Sequence, residues 1–209
     1  MKRELRKNSV MVVLLVIVCI IAFILSGNRK FEGPHIEYQC DVKISLSTKI
    51  NIDKENEEFV KVSGNILKFI TDPLTMYDLQ EQEIAYAGDE YHLIAQDSHT
   101  IFVNGQCTAE MVGLVDLFGE SYDIYNPSGE KVAELSINFL NTSGAMYNTE
   151  GKVIADFRSK LFFNDFKVRI SEECELDDKT VLMIFCSYYS DKAADNNSST
   201  SSSSRKSGS

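Results

Sequence analysis

The sequence predicts a mainly β domain: a closed antiparallel barrel of about 12 strands around a buried C-terminal helix, preceded by one transmembrane helix. Three observations predict it. A turn motif repeats along the middle of the chain, a short C-terminal segment is apolar on every side, and a long uncharged run lies near the N-terminus. The chain has 209 residues, of which 44% are hydrophobic, so it can form one globular domain with additional segments.

The N-terminal part predicts a membrane anchor. Residues 8–28 contain no charged side chain, and residues 10–25 are apolar without a break. A helix of about 20 apolar residues spans the hydrocarbon core of a bilayer, which is roughly 30 Å thick. A cleaved signal peptide is the alternative, but its apolar part is usually about 7–15 residues long, and residues 24–27 match a cleavage site poorly. We therefore expect an uncleaved anchor at residues 9–28, after a basic stub at residues 1–8.

The distribution of charge predicts orientation and partners. More basic residues precede the anchor than follow it, so we expect a single-pass cell-membrane protein with a cytoplasmic N-terminus and an extracytoplasmic domain. Residues 31–193 hold 13 Lys or Arg and 29 Asp or Glu, a net charge of −16. That charge repels phosphate backbones, which argues against nucleic-acid binding. The expected partners are the membrane, through the N-terminal helix, and a protein or small ligand that the sequence does not identify. The sequence also leaves the oligomeric state open.

The middle of the chain contains a repeated turn motif, G-x-x-x-A-[DE], at intervals of 24 and 22 residues. Its Gly and Ala positions are Gly105, Ala109, Gly129, Ala133, Gly151 and Ala155. A decayed copy lies at residues 81–85. In three of the four copies a Tyr precedes the turn position by four residues: Tyr77, Tyr125 and Tyr147. A unit of this length fits two strands and two turns, so residues 36–176 predict about six hairpins and about 12 strands.

Alternation along each strand assigns the residues of the motif to two faces. The Ala positions are predicted to line the core together with their apolar neighbours Met111, Leu135 and Phe157. The acidic residues that follow each Ala are predicted to be solvated: Glu110, Glu134 and Asp156. At the first Gly, the pair Asn104-Gly105 predicts a type I′ hairpin turn. Longer solenoid repeats are the alternative, but the alternation within each unit favours a meander of hairpins.

The segment after the predicted strands differs in character. Residues 181–185 have no polar break, so a helix formed from them would be apolar on every side and buried all round. The residues predicted to fill the core are Val181, Leu182, Ile184 and Phe185. A final strand is the alternative. A helix of about 13 residues is too short to cross a membrane, but a closed sheet around it would bury every side.

These features set the predicted boundaries of the domain. An acidic pair, Asp177 and Asp178, can cap the helix, which we place at about residues 178–190. The barrel is predicted at residues 34–193. Residues 194–209 are Ser-rich, contain few apolar side chains and are predicted to be disordered.

The repeated Y-x-x-x-G-x-x-x-A-[DE] hairpins, the block of residues 151–170 and the apolar helix after it carry a resemblance. Residues 64–192 resemble the LURP-one-related proteins of the tubby C-terminal-like superfamily, to which phospholipid scramblases are also similar. The resemblance implies a closed barrel of twelve strands around a central C-terminal helix. Tubby domains bind phosphoinositides through a basic surface, and scramblases are associated with calcium and palmitoylated cysteines. No part of this chain matches those features, so no functional residue is carried over.

The sequence predicts no catalytic residue, no cofactor and no metal site. His92, His99 and Cys107 match no zinc signature. The acidic residues 172–178 lack the Gly and the alternate ligands of an EF-hand loop. A single disulfide among Cys40, Cys107 and Cys174 stays open.

The predicted function is that of a membrane-anchored, non-enzymatic binding or interaction module, because a barrel filled by its own helix leaves no large cavity. A lipid-binding or scramblase-like protein is one alternative, and it would need a basic patch on the barrel. An uncharacterised enzyme is the other, and it would need a His, Cys and acidic cluster in a cleft.

Overall fold

The computed structural model describes residue 31 and residues 33–44, 47–65, 74–89, 98–114, 120–138, 141–159 and 165–203. The chain divides into two compact units, Met1–Glu32 and Gly33–Ser209. The strands and the helix described below belong to the second unit.

Within these ranges the chain forms twelve strands and one helix. The strands are β1 His35–Ile44, β2 Ser47–Lys54, β3 Glu57–Asn65, β4 Leu74–Tyr77, β5 Glu83–Asp89, β6 Ser98–Val103, β7 Gln106–Leu114, β8 Glu120–Tyr125, β9 Lys131–Ile137, β10 Ser143–Asn148, β11 Val153–Ser159 and β12 Phe166–Ser171. The helix, α1, spans Asp178–Ser203. Each strand pairs antiparallel with the next one along the chain, and β12 pairs with β1, so the sheet closes. The predicted closed antiparallel barrel is confirmed.

The observed fold class differs from the prediction, because the described elements are twelve strands and one C-terminal helix, without the predicted transmembrane helix. In the part of the chain that the structure describes, no helix is long and apolar enough to span a bilayer. The helix found there, α1, has 26 residues, but its second half is polar and rich in Ser and Asn. The fold class is therefore a barrel with a C-terminal helix. Residues 1–8 and 9–28, predicted as the basic stub and the anchor, lie outside the described residues.

The turns of the repeated motif use the left-handed backbone region. Gly105, Gly129 and Gly151 have φ values of 74°, 78° and 78°, and Glu81 takes the same position in the decayed copy with a φ of 61°. Asn104 also has a positive φ, 51°, and a type I′ turn requires positive φ at both central residues. The predicted hairpin turn at Asn104 and Gly105 is confirmed.

The other three copies of the motif have an Asx turn after the repeated Tyr. The residues that follow the Tyr are Asp78, Asn126 and Asn148. In each, the side-chain Oδ1 accepts hydrogen bonds from the backbone N–H groups two and four residues later, over 2.8–3.1 Å. These bonds satisfy N–H groups that a tight turn leaves without a strand partner.

A β-bulge follows the turn at the same place in five hairpins. The register of each hairpin shifts so that one extra residue lies on the later strand. The extra residues are Phe59, Ile84, Thr108, Val132 and Ile154. Of these, four are buried or pack against the core, and Thr108 Oγ1 accepts a hydrogen bond from Thr180 of α1 over 2.9 Å. The bulge residues therefore help to close this end of the barrel, and four of them directly precede the Ala of the motif.

The first half of α1 lies inside the barrel. Val181, Leu182, Ile184 and Phe185 are at most 1% exposed, and the ring of Phe157 on β11 lies 5.4 Å from that of Phe185. The inner wall contains small residues that let a helix about 10 Å wide fit. These buried alanines are Ala85, Ala87, Ala109, Ala133 and Ala155.

The helix extends beyond its predicted end. It begins at Asp178 and continues to Ser203, whereas the sequence predicts an end near residue 190. No Pro or Gly occurs between these two residues to stop it. Residues 194–203, predicted to be disordered, are helical, and residues 204–209 lie outside the described residues.

The beginning of α1 is bonded to the barrel wall. The buried Tyr38 of β1 donates a hydrogen bond from its hydroxyl to the Asp178 carboxylate, and Lys54 Nζ lies 4.0 Å from the same group. Burial, and then the bond to Asp178, raise the pKa of Tyr38, so the hydroxyl remains a donor at neutral pH.

Asp177 caps the helix, and its loss is expected to be measurable. Its Oδ1 accepts a hydrogen bond from the Lys179 N–H over 2.9 Å, and its carbonyl accepts one from Val181 over 3.1 Å. We expect Asp177→Ala to lower the free energy of unfolding by about 1 kcal/mol, because the Lys179 N–H loses its acceptor. Urea denaturation of both proteins measures this difference. Asp177→Asn keeps an acceptor and serves as the control; equal losses in the two variants would contradict the cap.

Candidate functional site

The helix occupies the interior of the barrel, so a ligand would bind at the ends of the barrel or on its outer wall. Residues 181–186 of α1 and the inward side chains opposite them form one continuous buried core. A small-molecule site usually needs a pocket of about 300–1,000 Å³. In this barrel α1 takes the interior position, and its residues 181–186 are at most 1% exposed. The structural repeat residues and the helix residues predicted from sequence therefore build the turns and the core of the fold.

Polar groups gather at the end of the barrel opposite the bulges, and this set is called the helix-exit rim. His99 of β6 lies with its Nε2 2.7 Å from Asp191 Oδ2 of α1, and the His99 side chain is 7% exposed. Lys192 forms an ion pair with Glu120 of β8, and the Tyr122 hydroxyl donates to Glu120 Oε2 over 3.4 Å. These bonds join α1 to two strands and hold the helix where it leaves the barrel.

The candidate metal ligands do not come together. His99 points inward to α1, whereas Cys107 pairs in register with Phe102, near the opposite end of the same hairpin. His92 lies outside the described residues. Within the described ranges, no three His, Cys, Asp or Glu side chains are placed to hold a metal ion. His35 is exposed, and its Nδ1 lies 2.9 Å from the Gly33 carbonyl oxygen.

The four described cysteines are free thiols, so the disulfide that the sequence leaves open is not formed. Cys40 and Cys186 are buried, and Cys107 and Cys174 are half-buried. Burial raises the pKa of Cys186 to about 12 and raises that of Cys40 and Cys174 as well. A thiol that stays protonated is a weak nucleophile, so these three side chains are poorly suited to covalent catalysis.

One half of the barrel wall is strongly acidic, which the sequence analysis missed. Residues 69–130 contain 12 Asp or Glu and no Lys or Arg. In the fold this segment supplies β4 to β8, which are neighbours in the sheet. The outward side chains of these five strands and of the turn at residues 78–82 are called the β4–β8 face. Its described acidic residues are Asp78, Glu81, Glu83, Glu110 and Asp123.

The β4–β8 face also carries two half-buried aromatic side chains that point outward and two exposed leucines. Tyr86 of β5 and Phe102 of β6 are cross-strand partners, with ring centroids 4.5 Å apart and ring planes at 11°. Both point outward, because the residues on either side of each belong to the core. Leu79 and Leu114 are 48% and 41% exposed. They are the exposed large hydrophobic residues of the described chain, and both belong to this face.

Lys131 of β9 is a basic residue at the β8 edge of this face. Its Nζ lies 2.6 Å from Asp123 Oδ1 and 2.9 Å from Glu134 Oε2. The hydrogen bonds to these two carboxylates raise the pKa of Lys131 to about 12. Lys131 therefore neutralises carboxylates on β8 and β9 and none of the described carboxylates on β4 to β7.

The opposite wall of the barrel is largely self-neutralised. Arg169 of β12 donates from Nε to Asp156 Oδ1 of β11 over 2.8 Å, and Lys167 Nζ lies 2.5 Å from Glu37 of β1. The prediction that Asp156 is solvated is wrong, since the residue is 4% exposed and bonded to Arg169. The bond to Asp156 raises the pKa of Arg169, so the guanidinium stays charged.

The acidic face could have been found from the sequence by counting charges in a sliding window. What the count alone does not give is the arrangement, because only the strand order shows that the segment forms one continuous wall. The arrangement combines negative charge, aromatic rings and exposed leucines, which is chemistry suited to binding a basic partner. No protein-family model matches the chain. No curated protein matches it either.

Proposed function

We propose that the chain is a non-enzymatic binding module of the tubby-like type, which contacts its ligand through the outer surface of its barrel. The observation that carries this proposal is the filled interior: side chains of α1 that are at most 1% exposed occupy the space a ligand would need. The arrangement of twelve strands around a helix supports the resemblance from which the tubby-like type was inferred.

The chemistry of the buried groups supports binding over catalysis. The His99 imidazole is engaged with Asp191 and almost enclosed, so a substrate would have to displace α1 to reach it. The buried thiols of Cys40 and Cys186 have raised pKa values and lie in the core. The rim pairs therefore serve to hold the helix.

Photo-crosslinking with the full chain tests the proposal. p-Benzoylphenylalanine replaces one outward residue, Phe102 or Tyr147, in cells that make the protein. We expect a binding partner to crosslink from at least one outward position, and to remain bound when His99 is changed to Gln. A small molecule that co-purifies with the chain and is released by His99→Gln would contradict the proposal, because it would place the ligand at the helix-exit rim.

A further inference from the structure

We propose that the β4–β8 face is a docking surface for a basic polypeptide segment in which Lys or Arg alternates with apolar side chains. This inference rests on the proposed function, because it names the kind of partner that binds the outer surface of the barrel. Two observations carry it: the excess of acidic over basic side chains among the described residues of this face, and its outward-facing aromatic and leucine side chains.

The charge selects a basic partner. Across β4 to β8 the described residues include no Lys or Arg, whereas the strands β11, β12 and β1 carry bases that pair with their own acids. Glu81 and Glu83 are exposed, and Glu110 is half-buried on β7. A face of one sign attracts the opposite sign and speeds its encounter, and it repels nucleic acid and anionic lipid surfaces.

The apolar groups indicate a polypeptide that also brings apolar side chains. Aromatic residues are enriched at the energetic centres of protein interfaces, and a stacked pair such as Tyr86 and Phe102 offers a rigid contact surface. Leu79 and Leu114 add exposed apolar area on the same half of the barrel. A partner recognised by charge alone would leave these four side chains without a role in binding.

The register places the two kinds of group in adjacent rows. Tyr86 pairs with Phe102 in one row, and Gly88 pairs with Thr100, which in turn pairs with Glu110, in the next. No heavy atom of the described residues lies within 4 Å of where a Gly88 Cβ would be, so the surface there is open. A segment laid across the strands can place apolar side chains against the aromatic row and a basic side chain over Gly88, within reach of the Glu110 carboxylate.

Peptide binding to the full chain tests this inference. The probe is a fluorescein-labelled peptide of about 12 residues that alternates Arg and Leu, and fluorescence anisotropy at about 0.15 M salt gives its Kd. We expect saturable binding, about fivefold weaker binding of a matched Arg and Ser peptide, and none of a Glu and Leu peptide. Tyr86→Ser with Phe102→Ser should weaken binding about tenfold.

Two further variants separate the surface from the fold. Glu83→Gln with Glu110→Gln should weaken binding about fivefold and reduce its salt dependence. The matched control, Asp53→Asn with Glu58→Gln, makes the same charge change on β2 and β3 and should stay within about twofold of the native Kd. If the aromatic double variant does not fold, Leu79→Ser takes its place, because that side chain is exposed in a turn.

Three results would overturn the inference. The first is the absence of saturable binding up to about 1 mM peptide. The second is equal weakening by the β4–β8 variants and by the β2–β3 control. The third is a dimer in analytical ultracentrifugation that Tyr86→Ser with Phe102→Ser dissociates, since a second copy would then occupy the face. In each case a crosslink from Tyr147 would leave the proposed function standing.

Discussion

Ile184→Asp is expected to abolish folding of the barrel. Ile184 is 0% exposed in the first half of α1, and it belongs to a core cluster to which all twelve strands contribute. A carboxylate at this position would have no partner among apolar side chains, and burying it unpaired costs at least several kcal/mol. That loss is comparable with the whole stability of a typical domain, about 5–15 kcal/mol. We therefore expect insoluble protein, or soluble protein without a cooperative melting transition.

Matched changes show that the effect comes from the core. Glu134→Gln alters a side chain that is 46% exposed and pairs with a surface lysine, so it should change the free energy of unfolding by less than about 0.5 kcal/mol. A chain ending at Asp178 lacks the helix and should not fold, whereas one ending at Lys192 keeps the buried turns and both rim pairs. A soluble Ile184→Asp protein with a cooperative melt would show that α1 is peripheral to stability.

The turns and the strand count could be predicted because they depend on local chemistry. Gly105, Gly129 and Gly151 mark positions that need a positive φ, and their spacing equals one hairpin. The bulges could not be predicted from the same pattern. Period-2 alternation assigns Ile84 or Val132 to the outer face, and only the paired register shows that each is an extra residue turned toward the core.

The buried part of the helix could be predicted because residues 181–185 have no polar side. The continuation of α1 beyond residue 190 could not be predicted from the same argument. The sequence from Asp191 onward is mostly polar, so the argument from apolar burial gives no reason to predict a longer helix. The rim pairs to His99 and Glu120 supply partners for this part of the helix. They link residues more than 70 positions apart, and no local pattern indicates such pairs.

The β4–β8 face illustrates the same limit for function. Each carboxylate on it reads as an ordinary solvated residue when taken alone. The strand order places β4 to β8 side by side in one wall. Only in that arrangement do the acidic residues and the stacked rings of Tyr86 and Phe102 form one surface. A functional surface on a sheet depends on which strands are neighbours, and β4 to β8 are neighbours because each of them pairs with the next strand along the chain.

The ion pair between Asp156 and Arg169 carries the second large expected effect. The guanidinium donates two hydrogen bonds to the carboxylate, and the two residues are cross-strand partners on β11 and β12. The Asp156 side chain is 6% exposed and that of Arg169 is 20% exposed. Removing one partner of an enclosed pair leaves the other charge without compensation, which is costly.

The two single substitutions should therefore differ in cost. Arg169→Met leaves a buried carboxylate with Arg158, whose Nε is 3.9 Å away, as its nearest base, and should lower the free energy of unfolding by about 3 kcal/mol. Asp156→Leu leaves a guanidinium that is partly solvated and faces Glu37 in register, so the loss should be about 2 kcal/mol. Asp156→Leu combined with Arg169→Met removes both charges, and we expect a loss of at most about 1 kcal/mol. Urea denaturation of the four proteins gives the coupling energy, and additive losses would show that the pair contributes nothing beyond its separate side chains.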